Sequence, residues 1–378
     1  MMRIRLLIII AFMPGWLDAS DGLVALSDEF DDAETLANWK RVYEEEGWGF
    51  DQLEQWGISD GQMTMIPHSS GWYNEWRGVH RYKEVTGDFV VTTRVTPRNR
   101  ADTGAPGMSY SLAGIFVRTP RNDIRSGQQD WTANGQNYIF LSLGTADSPG
   151  SYQLEVKTTV NSNSTLNISS GAPSAIIQIA RIGDVFITSR QLENGEWVVH
   201  RRYRRTDMPE TLNVGLTCYT DWPTVSAVGY QYHNQNLLSG EAALPGGAQP
   251  RPDLVARFDY VRFQEPNVPA SLAEADFMRS SEVRDADLLD FLGDHANHPP
   301  GSDTHWKPQL SFSQAEAGAP RSLNLLGPVG QVVILQSSDD LVHWEDERTM
   351  TTTGTIQEIV VEPGPVMTTY FRLRREEP

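Results

Sequence analysis

The sequence predicts an all-β protein: an antiparallel jelly-roll β-sandwich, a short helical linker and a small C-terminal β-sandwich domain. Three observations carry this expectation. Runs rich in β-branched and aromatic residues recur at short spacing from about residue 20 to 265, punctuated by Gly, Pro, Asn and Asp. Within the runs, apolar and polar residues alternate with the period of a strand. No helical pattern intervenes, which excludes βαβ units and a parallel sheet.

The first nineteen residues stand apart. MMRIRLLIIIAFMPGWLDA has two arginines, an apolar run from Leu6 to Met13, Pro14-Gly15 and a small residue at Ala19. That layout is expected of a secretory signal peptide, and the run is too short to span a bilayer. The expected mature protein is therefore secreted or on the cell surface, without membrane insertion. A net charge of −18 over 378 residues repels nucleic acid and anionic lipid, so neither is an expected partner. The single cysteine, Cys218, allows no intrachain disulfide and falls in the apolar phase of a strand, where a buried thiol is expected.

The strands follow in order: 87–97, 113–120, 137–145, 152–160, 175–183, 184–191, 196–205, 211–220 and 255–263. Gly183-Asp184 and Asn194-Gly195 supply the positive φ of tight hairpins. Residues 266–309 form the expected linker. Ser271 and Glu274 have capping-box spacing ahead of an apolar stripe at Leu288, Leu289, Phe291 and Leu292, and a Pro-, Gly- and His-rich tract follows at 295–308. Residues 310–378 read as a second β-module.

Candidate contact residues cluster in GWYNEWRGVHRYKEVTGDF, residues 71–89. Trp72, Tyr73, Trp76 and Tyr82 can stack on the C–H faces of sugar rings, with Arg77 and His80 as polar partners. The competing reading is a hydrophobic seal on the sandwich, since Trp is commonly buried in β-domains. Alternation along the strands suggests one polar sheet face carrying Arg94, Arg118, Glu155 and Lys157, against the alternative of an ordinary solvated face. A third cluster, Tyr219, Asp221 and Trp222, sits at a strand end before Pro223. Asp28, Asp31, Asp32 and Asp259 could furnish a structural calcium site; otherwise no cofactor is expected.

The order of DEFDDAETLANW, GDFVVTTRV, AGIFVRTP, NYIFLSLG, LEVKTT, IARIGDVF, WVVHRRYRR, VGLTCYTDW and FDYVRF resembles the concanavalin A-like lectin/glucanase superfamily, nearest its regulation-of-enolase-protein-like branch. The last fifty residues, with VILQSSDDLVHWEDE and TTYFRLR, resemble a β-domain found at the C-terminus of exported bacterial proteins. The first resemblance implies two curved sheets whose concave face holds glycans. Laminarinase-type relatives carry ExDxxE on one strand, which puts three carboxylates on one face. No strand here carries it, so the expected function is polysaccharide binding without catalysis. The alternatives are a glycoside hydrolase or polysaccharide lyase on the same face, with Arg77, His80 and Tyr82 supplying lyase chemistry, and a structural envelope protein.

Overall fold

The computed structural model describes residues 22–47, 50–121, 134–240, 243–292, 309–312, 322–326, 332–338, 343–351, 357–360 and 370–375. The expected signal peptide and the tract at 295–308 lie outside the described residues.

The first domain contains, in chain order, β1 (Lys40–Arg41), β2 (Leu53–Ser59), β3 (Gln62–Pro67), β4 (Arg81–Thr86), β5 (Phe89–Arg98), β6 (Ser111–Arg118) and β7 (Tyr138–Thr145). It continues with β8 (Gln153–Val160), β9 (Asn163–Ser170), β10 (Ala175–Ile182), β11 (Val185–Gln191), β12 (Trp197–Arg204), β13 (Thr211–Tyr219) and β14 (Val255–Gln264). They pair into two seven-stranded antiparallel sheets. The front sheet runs β1-β4-β13-β6-β7-β8-β9 and the back sheet β12-β11-β10-β5-β14-β3-β2. This is the predicted jelly-roll sandwich.

Alternation fixes what each sheet buries. Ile115 and Val117 of β6, Leu141 of β7 and Val156 of β8 face Val91 of β5, Ile177 and Ile179 of β10 and Phe258 of β14 in one core. Each such side chain contributes roughly 1.5–3 kcal/mol on burial, so the core stands in for the missing disulfide. Cys218 belongs to this core and is fully buried, as expected. The hairpins at Gly183 (φ 60) and Gly195 (φ 85) form as predicted. Strands β1 to β4 and β9 lie outside the nine expected runs. Two further pairs, Asp60-Gly61 (φ 53 and 70) and Asn161-Ser162 (φ 45 and 63), turn β2 into β3 and β8 into β9.

Two expectations are corrected. The polar face divides between sheets: Arg118, Glu155 and Lys157 lie on the front sheet, whereas Arg94 is on β5 of the back sheet, 3.4 Å from Asp259. Of the helical pattern expected in the linker, the described residues keep a 3-10 turn, Ala270–Leu272, and one helix, Asp285–Leu292. Asp276 accepts the backbone N–H of Met278 at 3.0 Å, a local bond that competes with helix, so the spacing of Ser271 and Glu274 caps nothing. The segment covers the back sheet instead. Phe277, Val283, Leu288 and Leu292 pack on Val90, Ala180 and Ile187, and the Gln178 amide donates to Leu292 O at 2.9 Å.

After residue 309 the described strands form two three-stranded sheets. One is made of Gln309–Phe312, Ser322–Leu326 and Gln357–Val360, the other of Val332–Ser338, Glu345–Thr351 and Tyr370–Arg375. Leu323, Leu325, Val333, Leu335 and Ile359 make a core of their own. Among the described residues no helix is long and apolar enough to cross a membrane.

Candidate functional site

Residues 70–80 form a strap across the outer face of the front sheet. It leaves the end of β13, where Ser70 N–H donates to Thr220 O at 3.0 Å. Trp72 then packs on the sheet, fully buried, with its ring centroid 4.6 Å from Phe116 and 5.8 Å from Tyr138. At the far edge Asn74 meets β9 reciprocally: Asn74 N–H donates to Ser164 Oγ at 2.8 Å, and Ser164 N–H donates to Asn74 Oδ1 at 2.9 Å. The chain turns there, with Asn74 left-handed (φ 45) and Trp76 N–H bonded to Tyr73 O at 2.8 Å. On the return leg a Cβ at Gly78 would stand 3.0 Å from the Trp72 ring, so glycine lets the two legs lie close. The Trp72 indole N–H closes the strap on Val79 O at 2.9 Å.

On one side of the strap a cavity of about 240 Å³ opens, lined by Trp72, Tyr73, Tyr110, Lys157, Leu166, Tyr219 and Trp222. Its walls are aromatic. The Trp222 centroid is 5.4 Å from that of Tyr73 and 6.4 Å from that of Tyr110, both edge-on. Trp222 reaches this place because Asp221 adopts a left-handed conformation (φ 67) and turns β13 into a short helix, Trp222–Val228. The buried Asp221 carboxylate holds that turn by accepting Ser69 Oγ–H and Arg251 N–H, both at 2.6 Å. Trp76 supports Trp222 from behind at 5.2 Å and touches Tyr230 at 5.7 Å.

The floor rests on a buried charge pair. Period two along β8 puts Glu155 and Lys157 on the outer face. Lys157 Nζ donates to Glu155 Oε1 at 2.8 Å, to Tyr219 Oη at 2.7 Å and to Trp72 O at 2.8 Å. All three ammonium protons therefore have acceptors. The Tyr219 hydroxyl donates in turn to Glu155 Oε1 at 3.3 Å. Burial pushes the Lys157 ammonium below its ordinary value, opposed by Glu155, and pushes the Tyr219 phenol well above its own. The pair is electrically neutral as a unit.

The other side of the strap is packed differently. Arg118 makes a bidentate pair with Glu46 at 2.5 and 3.0 Å, and both are buried. His80 has no exposed surface; it stacks on Tyr82 at 5.0 Å and meets Phe116 edge-on at 4.9 Å. Burial holds His80 neutral, well below its usual range, and brings the buried Arg77 down to about 8.

The sequence candidates thus separate into three groups. Trp72, Tyr73, Lys157, Tyr219 and Trp222 converge on the cavity, with Glu155 bonded to its floor. Arg77, His80, Tyr82 and Arg118 lie buried across the strap. Asp221 and Trp76 position the walls. Tyr110 and Leu166 were missed. Tyr110 is a single aromatic in the turn before β6, and Leu166 lies on β9, whose Asn, Ser and Thr residues hid the strand.

Three of the four carboxylates considered for calcium have protein partners. Asp28 accepts from Phe30 N–H at 3.0 Å and Trp39 Nε1–H at 2.8 Å, Asp32 accepts from Glu34 N–H at 2.9 Å, and Asp259 accepts from the Gln62 amide at 2.7 Å. Among the described residues no three His, Cys, Asp or Glu side chains gather as metal ligands.

No known family and no curated protein matches the chain. Solved structures similar to it include a functionally unknown protein from Saccharomyces cerevisiae, 13% identical over 62% of this chain and 99% of that one, with a TM-score of 0.40. The GH43 protein BlXynB from Bacillus licheniformis is 13% identical over 63% of this chain, with a TM-score of 0.37; the match spans only 39% of that longer protein. A Bacillus licheniformis beta-glucanase is 12% identical over 63% of this chain and 97% of its own, with a TM-score of 0.35.

Proposed function

We propose that this is an exported glycan-binding protein that holds sugar in the aromatic cavity of its front sheet and does not catalyse. One observation carries the reading: five aromatic side chains line the cavity, and the ammonium at its floor is bonded to a buried carboxylate. Such walls favour the C–H faces of a sugar ring. A general acid or base, by contrast, must be within reach of a substrate proton. Glu155 and Lys157 are engaged with each other at the floor, and His80 is fully buried at the end of the strap. Export rests on the first nineteen residues.

Affinity electrophoresis of the mature protein through a panel of polysaccharide gels tests this, beside a Trp222→Ala variant. Retardation that the variant loses, with no new reducing ends and no rise in unsaturated-sugar absorbance, is the expected result. New reducing ends or that absorbance would overturn the non-catalytic reading. Unretarded migration through every gel would overturn the glycan reading itself.

A further inference from the structure

We propose that the cavity takes a single uncharged sugar ring at a chain end or branch tip, and that the strap excludes the middle of a polysaccharide. This rests on the reading of the cavity as a glycan site.

The first argument is steric. A polysaccharide lying along a sheet face needs a groove open at both ends. Here the strap leaves β13 at Ser70, crosses β6, β7 and β8, and is fastened to the edge strand β9 by the reciprocal Asn74–Ser164 pair. The ring of Trp72 fills the space a groove would need, with no exposed surface of its own. What remains is bounded by the strap at Tyr73, by Tyr110 and Trp222 at the sheet end, and by Leu166 on β9. At about 240 Å³ it is smaller than the ~300–1,000 Å³ typical of drug-sized ligand sites. It suits one ring and no more.

The second argument is electrostatic. Lys157 is the one charged side chain among the residues lining the cavity, and each of its protons already has an acceptor. A uronate or sulfate would find no unengaged cation there. Glu155, fully buried and bonded to Lys157, offsets that lysine's charge, so the pair offers an anion no net attraction. The field of that carboxylate reaches the wall: burial raises the Tyr110 phenol above its ordinary value, and Glu155 adds to the rise. Burying a second anion beside it is unfavourable, whereas hydroxyl groups carry no such penalty.

Titration calorimetry of the mature protein distinguishes the cases. The probes are cello-, laminari-, xylo- and manno-oligosaccharides from one unit to six, the matching cyclic glucans, and oligogalacturonates. The expected result is at least one neutral series whose affinity changes by no more than about two-fold beyond the second unit. The cyclic compounds, which have no ends, should not bind, and oligogalacturonates should bind at least about ten-fold more weakly. A groove gains roughly two- to ten-fold for each further stacked ring. Affinity that climbs in that way, or cyclic glucans that bind as well as linear ones, with Trp222→Ala abolishing both, would overturn end-on binding while leaving the cavity as the glycan site. Oligogalacturonates binding as tightly as neutral chains would overturn the uncharged ring. Silence from every series, with the protein shown folded by near-UV circular dichroism, would remove the glycan reading and this inference together.

Discussion

Lys157 and Glu155 stand two residues apart on β8, both buried, with Nζ 2.8 Å from Oε1. Removing either partner strands the other charge. Lys157→Met or Glu155→Gln should therefore destabilise the domain by about 3–5 kcal/mol. Joining Lys157→Met with Glu155→Leu should recover much of that loss, because two apolar groups leave no orphaned charge. Urea denaturation of the three variants measures the coupling. Additive losses in the double variant would mean that the pair is not a unit.

Trp72 and Trp222 should respond oppositely to truncation. Trp72 is fully buried against Phe116, so Trp72→Ala should lower stability by about 3–5 kcal/mol. Trp222 is half-buried on the wall. Trp222→Ala should abolish retardation in the glycan gel while the variant keeps its near-UV spectrum and cooperative melting. A Trp72→Ala variant as stable as the parent would contradict the strap's packing.

Acid should weaken the fold before its carboxylates titrate. Burial holds His80 well below its ordinary value of 6.5 and His233 down to about 4. An unfolded chain takes up those protons near pH 6.5 and the folded one does not, so stability is complete above that value and falls as pH drops toward 4. Between pH 7 and pH 5 each such histidine should remove about 2 kcal/mol. Melting temperature measured across that interval should fall, and His233→Gln should flatten the fall. A profile level from pH 7 to pH 5 would show that neither imidazole is buried in its neutral form.

The strap should be releasable at one point. Asn74→Gly keeps the left-handed backbone (φ 45) but removes the acceptor for Ser164 N–H. The Ser164 amide should then exchange with solvent roughly two- to ten-fold faster, while amides in β6 and β13 keep their protection. Unchanged exchange at Ser164 would mean that this clasp does not hold the strap.

Much of the sandwich was legible because its strands obey a period of two over eight or more residues. β5, β6, β10 and β14 fall within a few residues of where their Val, Ile and Phe patterns place them. Strand β9 was not legible: NSTLNISS carries polar residues in both phases, and its place comes from pairing with β8. Alternation also identified Glu155 and Lys157 as outward-facing. It could not say which sheet holds Arg94, since that depends on long-range strand order. The residues of 71–89 were recognisable as a cluster, but their division into seal, wall and buttress follows from one crossing of the sheet, which no local pattern encodes. Asp221 looked like a contact residue. Its actual work, holding Ser69 and the backbone of Arg251, joins residues far apart in the chain.

Strand β9 also bears on how the protein behaves in a crowded solution. It is the last strand of the front sheet, eight residues long, uncharged and without proline. Such an edge is the kind that recruits a neighbouring chain into the sheet. Its open side is occupied at both ends: Ser164 N–H is taken by Asn74, and Ser170 O accepts Arg190 Nη1–H at 2.8 Å. Only the main chain around Leu166 and Ile168 is left between these two stops. That leaves a short ladder, so the loop that walls the cavity also blunts β9 as a pairing edge.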